Sequence, residues 1–96
     1  MDRVKGKVAI VTGSGSGLGR AEAVMLAKEG AKVAVTDIND ANGAETVEII
    51  RAAGGEAEYW HLNASVESEC ADVLAKVVEK FGKLDILVNN AGITGP

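Results

Sequence analysis

Cysteine occurs once in the chain, at Cys70, so no disulfide can close within it and no cysteine cluster can hold a metal. Histidine also occurs once, at His61, so an imidazole-based metal site is not expected. Basic charge is in deficit: 10 Lys and Arg stand against 14 Asp and Glu, a net charge of −4. Without a basic surface, nucleic acid and anionic membrane are poor partners. No apolar run approaches the roughly 20 residues of a membrane span. The apolar run Val8 to Val11 is too short for the core of a signal peptide and leads into glycines, not a cleavage site. A cytoplasmic protein is the default expectation. A single proline and 47% hydrophobic content argue against disorder, and 96 residues hold one small domain at most.

What is present is an alternation of strands and helices. "KVAIVT" (Lys7 to Thr12) is a β-rich apolar run ending at glycine, and "KVAVTD" (Lys32 to Asp37) is a second strand. "EAEYWHLN" (Glu56 to Asn63) and "LDILVNN" (Leu84 to Asn90) are a third and a fourth. Between the first two, Gly17 to Gly30 is rich in helix formers and stops at a candidate C-terminal glycine. A second helix is expected over Ala41 to Ala53, capped by Asn39 or Asp40 and stopped by Gly54 and Gly55. A third opens at a capping Ser65 and closes at Gly82. Its Val66, Cys70, Val73, Leu74, Val77, Val78 and Phe81 form one wide apolar stripe.

The order β-α-β-α-β-α-β with short connections predicts an α/β fold, a parallel sheet with helices on both faces. The first and fourth strands read as buried on both sides. If the first three strands step one way and the fourth returns beside the first, the strand order is 3-2-1-4. Helices one and two then share a face and helix three takes the other. Ligands in such sheets bind where the order reverses, between strands one and four. "TGSGSGLG" and "NNAG" meet across that crevice.

The first of these segments spaces Gly13, Gly15, Gly17 and Gly19 at every second position. It is not a G-x-G-x-x-G fingerprint: Leu18 or Arg20 stands where the third glycine would be. It is not a P-loop either, since no lysine follows the glycines. A plain Gly/Ser turn is one reading. The other is a phosphate loop, because a strand turning straight into a helix presents unpaired N–H groups and the positive end of the helix dipole. Glycine lets such a loop approach its ligand closely. Asp37 lies 18 residues beyond Gly19 at the end of the next strand, near the spacing of a ribose-binding acid. A carboxylate there accepts from both adenosine ribose hydroxyls and repels a 2′-phosphate, which favours NAD over NADP. No Lys or Arg between Gly13 and Gly19 offsets that repulsion. The alternative for Asp37 is a solvated turn residue.

On these residues the chain resembles the N-terminal part of a short-chain dehydrogenase/reductase of the classical type. The family's T-G-x-x-x-G-x-G motif is matched by Thr12, Gly13, Gly17 and Gly19, and its N-N-A-G motif by Asn89, Asn90, Ala91 and Gly92. "LN" after the third strand and "DILVNNAGIT" are most similar to 3-oxoacyl-acyl-carrier-protein reductase and related alcohol dehydrogenases. The resemblance implies a Rossmann-type fold in which Gly13, Ser14, Ser16, Gly17, Leu18 and Gly19 wrap the pyrophosphate. Asp37 would bind the adenosine ribose, with Ile38 beside the adenine. Asn63 and Ala64 would flank the adenine, Asn63 accepting from its amino group. Asn90, Ala91 and Gly92 would line the middle of the cofactor, and Thr12 would tie the first strand to the N-N-A-G segment. A structural hydrogen bond is expected of Asn89. Gly15 falls at a variable position and is expected to add flexibility.

The family's chemistry uses a Ser and a Tyr-x-x-x-Lys pair downstream of N-N-A-G. The one tyrosine here, Tyr59, is followed four residues later by Asn63 and is expected to pack. The chain therefore reads as the NAD-binding half of an oxidoreductase that interconverts alcohol and ketone, inactive by itself. Two alternatives are a self-contained dinucleotide-binding or sensing module, and a truncated product that does not persist as a folded unit. The apolar fourth strand, left as an open edge, is an expected site of self-association.

Overall fold

The structure, a computed structural model, describes residues 4–90. Its elements are β1 (Val8–Val11), α1 (Gly17–Lys28), β2 (Lys32–Asp37), α2 (Asp40–Ala52), β3 (Glu56–His61), α3 (Glu67–Phe81) and β4 (Ile86–Val88). The four strands form one sheet in the order β3-β2-β1-β4, every pair parallel. This is the Rossmann-type order expected from the alternation.

Side chains of β1 and β2 alternate between two cores, as the two-residue period of a strand requires. Val11, Val33 and Val35 pack with Ala23 and Ala27 of α1 and Val47 and Ile50 of α2. Val8, Ile10 and Ala34 pack on the opposite face with Val73 and Val77 of α3. Trp60 and Phe81 extend this second core with an edge-to-face contact, centroids 6.2 Å apart. The small residues of α1 let it lie close against the sheet at the strand end where the glycine loop emerges.

All three helix ends follow the expected glycine chemistry, α3 closing at left-handed Gly82 (φ 87°). Gly30 (φ 99°) and Gly54 (φ 88°) are the left-handed residues that end α1 and α2. The amides of Ala31 and Gly55 return to the carbonyls of Leu26 and Ile50, which closes both ends in a Schellman pattern. Asn39 caps α2, its side chain accepting from the Asn42 amide.

Ser65 does not cap α3. Its amide and hydroxyl both turn back to Asn63 Oδ1, at 3.0 and 2.6 Å, and the helix starts two residues later behind Val66. Glu67 and Glu69 in the first turn complement the helix dipole in place of a hydroxyl cap. β4 is the open edge that the strand order predicts among the described residues. The expectation that it is buried on both sides is corrected: Leu87 is 58% exposed. Val78 likewise lies at the wet margin of the α3 stripe.

β4 is fastened at its entry. The Asp85 amide donates to Val8 O, and Asp85 Oδ2 accepts from the Val8 amide, both at 2.9 Å. That second bond holds the Asp85 carboxyl below its usual range against the opposing effect of burial, with Lys83 and Lys7 adding to the lowering. Asp40 is lowered too, by the Tyr59 hydroxyl first and then by His61. A depressed carboxyl stabilises the fold fully above its unfolded pKa, about 4, and loses that contribution as pH falls through the folded value. Urea midpoints are therefore expected to hold near neutral pH and to drop below about pH 4. Asp85→Ala should lower the neutral midpoint and make the acid drop shallower. An unchanged pH profile in that variant would remove Asp85 from this account.

Candidate functional site

The carboxyl ends of β1, β2 and β3 open into a cleft of about 430 Å³. One wall is formed by Gly13 and Ser16 of the loop after β1 and by the first turn of α1, Gly17 to Gly19. Gly13 and Gly17 take left-handed φ values of 62° and 57°, which redirect the chain from strand to helix. Gly19 serves differently. A Cβ there would lie 2.0 Å from Gly13 O and 3.0 Å from Ser14 Cα, so only glycine lets α1 settle onto its own loop. Ser16 is the N-cap residue, but no side chain caps α1 and no acidic residue stands in its first turn. The first amides and the positive helix end are left without a side-chain partner at the cleft.

The opposite wall carries Asp37 and Ile38 from the end of β2, and Leu62, Asn63, Ala64 and Ser65 from the segment after β3. Asp37 is anchored by two backbone amides, Gly15 to Oδ2 and Asn39 to Oδ1, both at 2.9 Å. Tyr59 supports the same turn: its hydroxyl lies within hydrogen-bond distance of Asp37 O and Asp40 Oδ1, which share its one proton. Burial first, then the Asp40 carboxylate, pushes the Tyr59 phenol well above its ordinary pKa. It therefore stays a protonated donor, in keeping with a packing role. Its ring occupies the place where a side chain on residue 43 would go, 2.1 Å from a Cβ there, which accounts for a glycine in the first turn of α2.

The loop itself is stapled to α2. Arg20 donates to the carbonyls of Gly15 and Asn42 and to Thr46 Oγ1, and pairs with Glu45 at 2.9 Å. Thr46 in turn donates to Ser14 O at 2.8 Å. The sequence marks Arg20 only as a mismatch to the G-x-G-x-x-G fingerprint and assigns it no role, although a cation in the first turn of a helix sits at the wrong end of the dipole and calls for partners.

The N-N-A-G segment begins where expected. Thr12 Oγ1 donates to Asn89 Oδ1 and accepts from the Asn90 amide, each at 2.9 Å. Asn90 is buried, and its side-chain amide donates to Thr12 O and Glu22.

Of the residues singled out from sequence, Gly13, Ser16, Gly17, Leu18, Gly19, Asp37, Ile38, Asn63, Ala64 and Asn90 line this one cleft. Ser14 does not. It is fully buried behind the loop, its hydroxyl bonded to Val11 O and Thr36 O. Ala91 and Gly92 lie outside the described residues. Asn63 reaches the cleft with its Oδ1 already holding Ser65, so both lone pairs of the oxygen expected to face adenine are engaged. Gly15 is not a flexible position: it is buried and closely packed against Asp37 and Asn42. Leu62 and Ser65 are lining residues the sequence reading left out; their position beside Asn63 at the end of β3 was the available signal.

Among the described residues no group of His, Cys, Asp and Glu could hold a metal ion, and no helix is long and apolar enough to cross a membrane.

Residues 7–96 match the family model described as short chain dehydrogenase. An oxidoreductase of Thermotoga maritima described as uncharacterized is 52% identical over 93% of this chain and 35% of its own length. The 3-oxoacyl-acyl-carrier-protein reductase of the same organism is 40% identical over 96% of this chain and 37% of its own. Among solved structures, a 7α-hydroxysteroid dehydrogenase complexed with NADH and 7-oxo-glycochenodeoxycholic acid superposes with a TM-score of 0.88 at 39% identity. That match covers 91% of this chain and 34% of the dehydrogenase. The chain thus spans about a third of the length of these relatives.

Proposed function

The chain belongs to the short-chain dehydrogenase family, and from that premise we propose that its cleft is the adenosine-diphosphate end of an NAD(H) site. The observation that carries the proposal is the pairing of an uncapped helix N-terminus with an anchored carboxylate across one cleft. Phosphate suits the first: amides and a positive dipole end with no competing acid. Ribose suits the second: each Asp37 oxygen is held by one amide and keeps a lone pair for a hydroxyl. Ile38, 59% exposed at the rim, offers an apolar face to a base. Asn63 would meet the base through its Nδ2 donor, since its oxygen serves Ser65.

When bound, the nicotinamide supplies hydride exchange with an alcohol or ketone. This chain's own part is to bind and orient the adenosine end, and to disfavour a 2′-phosphate through Asp37. The whole protein would interconvert an alcohol and a ketone. The 96-residue chain carries no Tyr-x-x-x-Lys, and the proton of its only phenol is held between Asp37 O and Asp40. It is expected to bind NADH without turning it over.

Titration of the chain with NADH and NADPH at one fixed salt concentration, followed by nucleotide fluorescence, tests this. Saturable NADH binding, weaker NADPH binding and no NADH oxidation over a ketone panel are expected. A folded chain that binds neither nucleotide would end the proposal.

A further inference from the structure

The glycine at position 15 is unexplained by backbone geometry. Gly15 is not among the positive-φ residues, so its conformation is open to any L-residue. The constraint is steric and directional. A Cβ on residue 15 would lie 2.8 Å from Asp37 Oδ2, 3.0 Å from Asp37 Cγ and 2.8 Å from Asn42 Cβ. The amide of the same residue donates to Asp37 Oδ2 at 2.9 Å. Absence of a side chain and presence of the N–H thus act on one carboxylate oxygen.

We propose that Gly15 is a specificity-determining position: by seating the Asp37 carboxylate, it sets the discrimination between NAD(H) and NADP(H) without touching the cofactor. The proposal rests on the reading of the cleft as a dinucleotide site. Gly15 and Asn39 hold one carboxylate oxygen each, which fixes the carboxylate plane. The neighbours that would have to yield to a Cβ are unequal. Asn42 belongs to α2, which is bound to the loop through Arg20 and Thr46. Asp37 is a side chain with rotatable torsions. A Cβ at residue 15 therefore displaces the carboxylate, while its overlap with Asn42 Cβ strains the loop against α2 whether or not the carboxylate is there. That displacement removes the acceptors for the ribose hydroxyls and moves the negative charge away from the site of a 2′-phosphate.

The test is a double-substitution cycle of Gly15→Ala and Asp37→Ala, with NADH and NADPH dissociation constants measured at one salt concentration. In the wild-type background, Gly15→Ala is expected to weaken NADH about tenfold and to narrow the NADH-to-NADPH preference by a similar factor. In the Asp37→Ala background the same substitution should weaken NADH less than in the wild type and change the NADH-to-NADPH ratio by no more than about twofold. Equal weakening in both backgrounds, or an unchanged preference, overturns the proposal while leaving NADH binding intact. A wild-type chain that binds neither nucleotide overturns the cofactor reading and this proposal with it.

A second measurement needs no substitution of the glycine. Amide hydrogen exchange at Gly15 should quicken several-fold in Asp37→Ala, because the carboxylate is the acceptor for that amide. The Ser14 amide, bonded to Thr36 O at 2.9 Å, should stay as it was. Unchanged exchange at Gly15 would show that the carboxylate is not seated there and would overturn the proposal.

Discussion

Gly19→Ala is expected to be the most damaging single-methyl change in the chain. In a helix interior, alanine normally gains about 1 kcal/mol over glycine. Here that gain meets a methyl group 2.0 Å from Gly13 O, 2.7 Å from Gly13 C and 3.0 Å from Ser14 Cα. All three are backbone atoms, so no rotamer change relieves the overlap; the loop or the whole of α1 must move. Both are held: Ser14 by Val11, Thr36 and Thr46, α1 by the core through Ala23 and Ala27. Overpacking of this kind costs about 1–3 kcal/mol and sometimes more. For a domain of this size that corresponds to a fall in melting temperature of roughly 5–20 °C.

Gly17→Ala separates this effect from a general intolerance of the loop. Gly17 has φ 57° and open space around it, so alanine there meets only the left-handed backbone penalty, about 1–2 kcal/mol. Thermal unfolding followed by circular dichroism should therefore rank wild type above Gly17→Ala and Gly17→Ala above Gly19→Ala. A Gly19→Ala chain as stable as wild type would mean that α1 does not rest on its loop as described.

How much of this was legible beforehand follows from the range of each interaction. The alternation of β-rich and helix-rich segments, and the glycines that stop them, are local signals, and element order, strand order and the two-sided distribution of helices follow from them. Gly13, Gly17 and Gly19 could be picked by their match to the family's T-G-x-x-x-G-x-G motif, and Asp37 by its distance down the chain. Contacts between distant segments were not legible. Gly15 was read as a source of flexibility because nothing near it in sequence shows that Asp37 and Asn42 close over it. Ser14 was placed with the ligand contacts because every loop residue has the same claim from sequence; its hydroxyl turns inward to Val11 O and Thr36 O. Ser65 fits the residue preference of a helix cap. Its competition with that role comes from Asn63, two residues earlier, whose Oδ1 takes both of its donors. β4 has the composition of a fully buried strand, but its place at the end of the strand order, which the alternation predicts, leaves it an exposed edge.

Asp37→Ala is expected to have the largest effect on ligand binding. On the proposed reading the carboxylate makes two charge-assisted hydrogen bonds to the adenosine ribose, and such bonds contribute about 1.5–3 kcal/mol each. Their loss is partly offset because the freed hydroxyls can bond to water in the open cleft. A net weakening of NADH by about ten- to a hundredfold is the expected result. NADPH should respond in the opposite direction. Its 2′-phosphate meets a fixed negative charge in the wild type, and removing that charge raises its affinity, so the preference for NADH collapses or reverses.

The two nucleotides must be compared at the same ionic strength, since salt screens the repulsion at this rim. Asp37→Asn completes the argument. It removes the charge but keeps an oxygen acceptor, so it should recover part of the NADH affinity lost in Asp37→Ala while still admitting NADPH. If Asp37→Ala leaves NADH binding unchanged, the two amides that seat the carboxylate serve only the turn into α2. The ribose role would then fall while the phosphate role of the glycine loop could stand. Those two halves of the site are separable because Gly13, Gly17 and Gly19 act through backbone and helix dipole, whereas Asp37 acts through a charge on the facing strand.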